Sequence, residues 1–264
     1  MLTNIFLLFL YLFSFINSQN SNDIFERNKN VRFCGADLLN HTIKISSKIS
    51  NKHKLDPSRK LSTAFSPIRI ILDTTYFEQQ GNQIYSIKDK VPLLKEAMNK
   101  AVNALSNILE VEDYGNDIFE DLTPQFMYNN KVFNWDPMFN NNADIPADLI
   151  ILTRFEDVNE FPPGVLASAM PILLYKFTNR SIVGILTVSR SETFYSYTNI
   201  KEYFSVVFLH ELTHALGFLE TMFPFYPQGV ENILMKKVIR GVERTLIKTP
   251  KVVERAKLFL IVIH

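Results

Sequence analysis

Hydrophobic positions along the chain follow two different periods. Pro67-Ile68-Arg69-Ile70-Ile71-Leu72-Asp73 is a β-branched run bounded by Pro and turn formers, which predicts a strand. From Val91 to Leu109 the apolar residues Leu94, Ala97, Met98, Ala101, Leu105, Ile108 and Leu109 recur at three and four, which predicts a helix with one stripe on a core. Asp148 to Thr153 and Ile182 to Val188 predict two further strands, joined by a connection punctuated by Pro and Gly. Tyr114 to Ala147, holding Trp135 and Asn140-Asn141-Asn142, reads as loop. In NIKEYFSVVFLHELTHALGF, from Asn199 to Phe218, the residues Phe204, Val207, Phe208, Leu212, Ala215 and Leu216 make a wide apolar face, so this segment predicts a mostly buried helix. Asn199 with Glu202 three places on has the pattern of a capping box, which starts that helix. Strand, helix, strand, strand, helix without internal repeats predicts an α+β domain rather than a bundle or a sandwich.

A chain of 264 residues, 47% hydrophobic and 21% charged, is ordinary for a folded globular protein. Its net charge of +1, with Lys and Arg scattered apart from the short Lys52 to Lys60 stretch, gives no electrostatic case for a nucleic-acid partner. Ile5 to Ile16 is an apolar run too short to span a bilayer and of signal-peptide length, so residues 1–18 read as a signal peptide cleaved after Ser18. An uncleaved anchor is the alternative, and both readings put the remainder outside the cytosol. Residues 19–66 are polar, with a short helix near Leu38, and read as a pro-segment, which leaves residues 67–264 as the main folded domain. Sequons at Asn40 with Thr42 and at Asn179 with Ser181 suit a secretory route. Cys34 is the single cysteine, so no intramolecular disulfide is available and stability must come from the core. His41 and His53, in the same polar region, read as solvated surface histidines.

The predicted buried helix contains His210-Glu211-Leu212-Thr213-His214. Four residues advance a helix by slightly more than one turn, so the two imidazoles project from one face and can grip a single zinc ion. Glu211 can then lie beside the ion without ligating it, placed to take a proton from a zinc-bound water and pass it to a leaving amine. With five His in the chain, chance supplies roughly 0.005 such matches. Two His and a Glu in so apolar a helix would be costly without a metal partner. Gly217, three residues after His214, extends the pattern to H-E-x-x-H-x-x-G, in which a left-handed Gly ends the helix and turns the chain beneath the metal. A peptidase of the other large zinc class would continue the helix and take a Glu from elsewhere, for which Glu231, Glu243 and Glu254 are the candidates.

These residues, with PIRIILD from Pro67, LLKEAMNKAV from Leu93, ADLIILTRFED from Ala147, SIVGILTVS from Ser181 and TPKVVERAK from Thr249, resemble the leishmanolysin family of metallopeptidases over most of residues 66 to 258. The resemblance implies a metzincin-like domain, a twisted mixed sheet packed on a helix and on the zinc helix. It implies a secreted or cell-surface zinc endopeptidase acting on protein or peptide substrates, with cell adhesion and a membrane or cell-surface association. His210 and His214 match the first two zinc ligands and Glu211 the catalytic acid-base. The family's third ligand is a His beyond a segment similar to TPKVVERAK, and the sequence runs from there through Leu260-Ile261-Val262-Ile263 to His264 without a match to that region. The expectation is therefore a chain truncated before its third ligand and incomplete in its lower subdomain. Glu220, at the third-ligand spacing of compact metzincins, is the next candidate, and His264 and the downstream glutamates follow.

Cys34, in Val31-Arg32-Phe33-Cys34-Gly35-Ala36-Asp37, resembles a pro-segment cysteine whose thiolate occupies the open zinc position and keeps a metzincin latent. Its alternative is a thiol with no role. The sequence thus carries two functional expectations, a zinc metalloendopeptidase precursor and a catalytically inactive paralogue that serves as a secreted or surface binding protein. Cleavage preference and oligomeric state leave no signal in the sequence.

Overall fold

A computed structural model describes residues 32–34, 65–112, 125–128, 131–134, 146–156, 164–175, 178–191, 195, 199–226, 230–250 and 253–254. The signal-peptide reading, the helix near Leu38, Trp135, the three Asn from Asn140, His41, His53 and His264 lie outside these residues. In chain order the elements are β1 (Arg32–Cys34), β2 (Phe65–Pro67), β3 (Ile70–Asp73), α1 (Thr75–Gln83), α2 (Val91–Ile108), β4 (Glu110–Glu112), β5 (Gln125–Tyr128), β6 (Lys131–Asn134), β7 (Leu149–Glu156), β8 (Val165–Leu174), β9 (Ser181–Ser189), α3 (Ile200–Ala215), α4 (Val230–Ile233), β10 (Leu234–Ile239) and β11 (Val242–Ile247), with 3-10 turns at Lys88–Lys90 and Glu220–Phe225.

The fold is mixed α+β. Its main sheet has the order β1-β8-β9-β7-β3, and every neighbouring pair is parallel except β8 with β9. One face of this sheet packs on α1, α2 and α3 through Leu94, Met98, Leu105, Ile151, Phe155, Leu186, Phe204, Phe208 and Leu212. The opposite face carries a smaller cluster in which Ile150, Leu152, Met170 and Ile185 meet Leu219 and Met222. β7, β8 and β9 are buried on both faces, which is why their sequences are continuous apolar runs rather than alternating ones.

The helix expected from Val91 is present, with Val91, Leu94, Ala97, Met98, Ala101, Val102 and Leu105 buried, while Ile108 is exposed at its end. The strand expected over Pro67 to Asp73 is divided. Ile68 donates its amide to the Leu109 carbonyl at 2.9 Å and the Arg69 amide donates to Asp148 Oδ2 at 2.9 Å, so the ladder with β7 starts only at Ile70. Pro67 belongs instead to the β2–β4 pair. Two stretches expected as loop or connection hold strands. Residues 114–147 contain the β5–β6 hairpin, and the segment between the second and third predicted strands contains the ten-residue β8. Pro171 obscures β8 in the sequence, because a proline inside a run argues against a strand, and here a register irregularity after Pro171 accommodates it. The polar region upstream of Ser66 contributes β1, which adds to the sheet beside β8.

Candidate metal centre

α3 starts where the sequence predicts, with Asn199 at its N-cap, but the capping box does not form. The Asn199 side chain makes no cap hydrogen bond, since its backbone, with ψ of 54°, departs from the extended conformation that aims a cap side chain at the first amides. The Asn199 carbonyl still accepts from the Tyr203 amide at 3.1 Å and opens the helical ladder. The rest of the helix is buried almost all round, including Glu211, Thr213 and His214. Its hydroxyls are absorbed locally: Ser205 Oγ donates to the Glu202 carbonyl and Thr213 Oγ1 to the His210 carbonyl, each at 2.7 Å.

His210 and His214 converge as the four-residue spacing requires. Their Nε2 atoms are 3.2 Å apart and their rings are nearly perpendicular, at 84°. His214 Nδ1 lies 2.8 Å from the Phe218 carbonyl. A carbonyl can only accept, so Nδ1 carries the proton and Nε2 of the neutral ring is left with its lone pair directed at His210. Two nitrogens bound about 2.0–2.1 Å from one tetrahedral ion sit about 3.3 Å apart, so this pair has the separation and tautomer of two zinc ligands. Without an ion, a proton on His210 Nε2 fills the same gap. The donor set fits zinc as far as two ligands go.

The turn after the helix produces this geometry. Gly217 has φ of 105°. Its amide donates to the His214 carbonyl at 2.8 Å and the Phe218 amide to the Thr213 carbonyl at 3.1 Å, the two bonds of a Schellman motif. The Phe218 carbonyl is thereby brought under His214. Tyr226 holds the turn from outside, donating its hydroxyl to the Gly217 carbonyl at 2.7 Å, and burial pushes that phenol up to about 12. At the other side, a Cβ on Gly184 of β9 would stand 3.0 Å from Ala215 Cβ and 2.9 Å from Ile151 Cδ1. The close approach of α3 to the sheet therefore needs a glycine at 184.

Glu211 is fully buried, and its Oε2 accepts from the Ala169 amide of β8 at 3.0 Å. The carboxylate is thus tied to the strand next to β1. Cys34 of β1 stands in register with Ala167, two residues before Ala169. Among the described residues no third His, Cys, Asp or Glu joins the histidine pair. Glu220, the compact-metzincin candidate, is exposed at the start of the 3-10 turn and does not complete a site, because the chain turned by Gly217 leads it away into that turn. Glu243 is held by Lys236 at 3.0 Å, and Glu254 is likewise not part of a cluster. The side chain of Glu231 and all of His264 lie outside the described residues.

The leishmanolysin family model matches residues 82–260, a span that holds the whole of α3 and both imidazoles. The chain belongs to the leishmanolysin family. That places it in a family of zinc metallopeptidases, with which the mixed α+β fold found here is compatible. Neither the curated proteins nor the solved structures give a match. Two groups that organise the histidine pair and Glu211, the Ala169 amide and the Phe218 carbonyl, belong to the backbone and leave no mark on residue identity. Tyr226 could have been found only by knowing that the chain folds back after Gly217.

Proposed function

We propose that this chain is a zinc-dependent metalloendopeptidase of the leishmanolysin type that hydrolyses peptide bonds in extracellular or surface proteins. The observation carrying this reading is the pair of Nε2 atoms 3.2 Å apart, with the His214 tautomer set by the Phe218 carbonyl. His210 and His214 would hold the ion, and zinc at that place supplies Lewis acidity towards a scissile carbonyl and lowers the pKa of a water. Glu211 takes the proton from the attacking water and delivers it to the departing amine, while the Ala169 amide keeps its carboxylate in place. Glu211→Gln removes the base and retains the shape. It should lower kcat/KM on casein by about 10²–10⁴-fold while zinc content stays at the parent level. Equal activity in the two proteins would leave the binding-protein reading in its place.

In the same reading, residues 1–18 are removed on secretion and residues 19–66 are a pro-segment that adds to the strand next to the site. The backbone register, with β1 parallel to β8 and Cys34 opposite Ala167 two residues before Ala169, supports reading Cys34 as a latch at the zinc position. Cys34→Ser precursor should hydrolyse casein before the pro-segment is cleaved, and the parent precursor should not. A variant precursor as silent as the parent rules the latch out.

A further inference from the structure

The β10–β11 hairpin lies downstream of the metal centre, and among the described residues its strands pair only with each other. Arg240 and Gly241, with φ of 51° and 79°, make a two-residue turn of the kind that matches strand twist. The register pairs Ile239 with Val242, Val238 with Glu243, Lys237 with Arg244 and Lys236 with Thr245. Paired residues share a face and successive pairs alternate, so the tip carries apolar groups on both faces: Ile239 and Val242 on one, and Val238 on the other, where its partner Glu243 is turned to Lys236. Val238 is 66% exposed and Val242 47%. A protein partner laid against a two-stranded ribbon covers one face, whereas apolar groups on both faces suit a medium that surrounds the tip.

Charge points the same way. Two residues behind the tip, about 7 Å along the strand, Lys237 stands directly opposite Arg244. Like charges in that position repel, and among the described residues neither has an acidic partner. On the other face Lys236 pairs with Glu243 at 3.0 Å in full solvent. Residues 234–248 hold five basic side chains, Lys236, Lys237, Arg240, Arg244 and Lys248, against the single acid Glu243, so this hairpin is +4 in a chain whose total is +1. The remainder of the molecule is therefore net negative.

We propose that the β10–β11 hairpin docks the protein on an anionic phospholipid bilayer. Val238, Ile239 and Val242 enter the boundary between headgroups and acyl chains, a depth of about 5–10 Å, and the basic side chains lie among the phosphates. The long stem of Arg240 lets its guanidinium stay at headgroup level while the turn enters. The docking uses no residue of the metal centre and does not rest on the peptidase reading.

The test is sedimentation of the full chain with vesicles of phosphatidylcholine alone or with phosphatidylserine. The parent should bind only the phosphatidylserine vesicles, and less as salt rises. Lys237→Gln with Arg244→Gln should weaken binding about 30-fold, at about fivefold per basic residue. Val238→Ser with Val242→Ser should weaken it about tenfold or more while leaving part of the salt dependence. All four positions are exposed or at the exposed ribbon, so circular dichroism, thermal melting and casein hydrolysis in solution should match the parent. Equal binding to both vesicle types, no binding to either, or undiminished binding by the Lys237/Arg244 variant overturns the proposal. So does retention on immobilised heparin without vesicle binding, which would assign the hairpin to an acidic glycan.

Discussion

His214→Ala protein, purified and dialysed, should retain no zinc, and its hydrolysis of casein should fall below that of Glu211→Gln. The argument starts from the ring's double duty. Nε2 is one of only two imidazole nitrogens that converge among the described residues, 3.2 Å from its neighbour, and Nδ1 is anchored on the Phe218 carbonyl at 2.8 Å. Loss of a mere orienting partner typically costs 10–100-fold in metal affinity, and loss of the ligand itself exceeds that. With one imidazole left, no chelate remains. Metal content by mass spectrometry reads this directly, without reference to activity. His210→Ala should behave alike at the metal but without disturbing the turn, because only His214 is tied to Phe218. Metal content equal to the parent in both variants would place zinc, if bound, elsewhere in the chain.

How far the sequence revealed this site depends on what each residue was asked to do. The H-E-x-x-H spacing and the apolar face of α3 are properties of side chains on a regular helix, and a 3.6-residue period translates them directly into one face. α2 was legible for the same reason. β8 was not: it is buried on both faces like β7 and β9, but Pro171 breaks the continuous apolar run by which those two could be read. The Glu211 contact was hidden with it, since Ala169 contributes only its amide. The β10–β11 hairpin escaped for the opposite reason: with both ribbon faces exposed, burial imposes no alternation on Met235-Lys236-Lys237-Val238, and the turn is made by Arg240-Gly241 rather than by Asn-Gly or Asp-Gly. Gly217 was readable because its conformation, and not its surroundings, requires glycine; a Cβ there would meet only Met222 Cε, at 3.8 Å.

β7 raises the last case, because the sequence places its end at Thr153 and the strand continues to Glu156. Arg154 and Glu156 are polar, yet both are buried, with side chains 5% and 7% exposed and Nη2 to Oε2 at 2.5 Å. Two residues apart on one strand, they share a sheet face, and Arg154 Nε also donates to Thr187 Oγ1 of β9 at 3.2 Å. The strand can extend through them because each charge meets its opposite inside the sheet. Glu156→Ala removes that compensation, while the guanidinium stays charged at any working pH. It should destabilise the fold by about 3–5 kcal/mol, lowering the urea midpoint without changing the slope. Replacing both residues by Met should recover most of that loss, since an apolar pair of similar volume needs no counter-charge. A double variant as unstable as the single one would mean that the cost comes from packing at this end of β7 and not from a stranded charge.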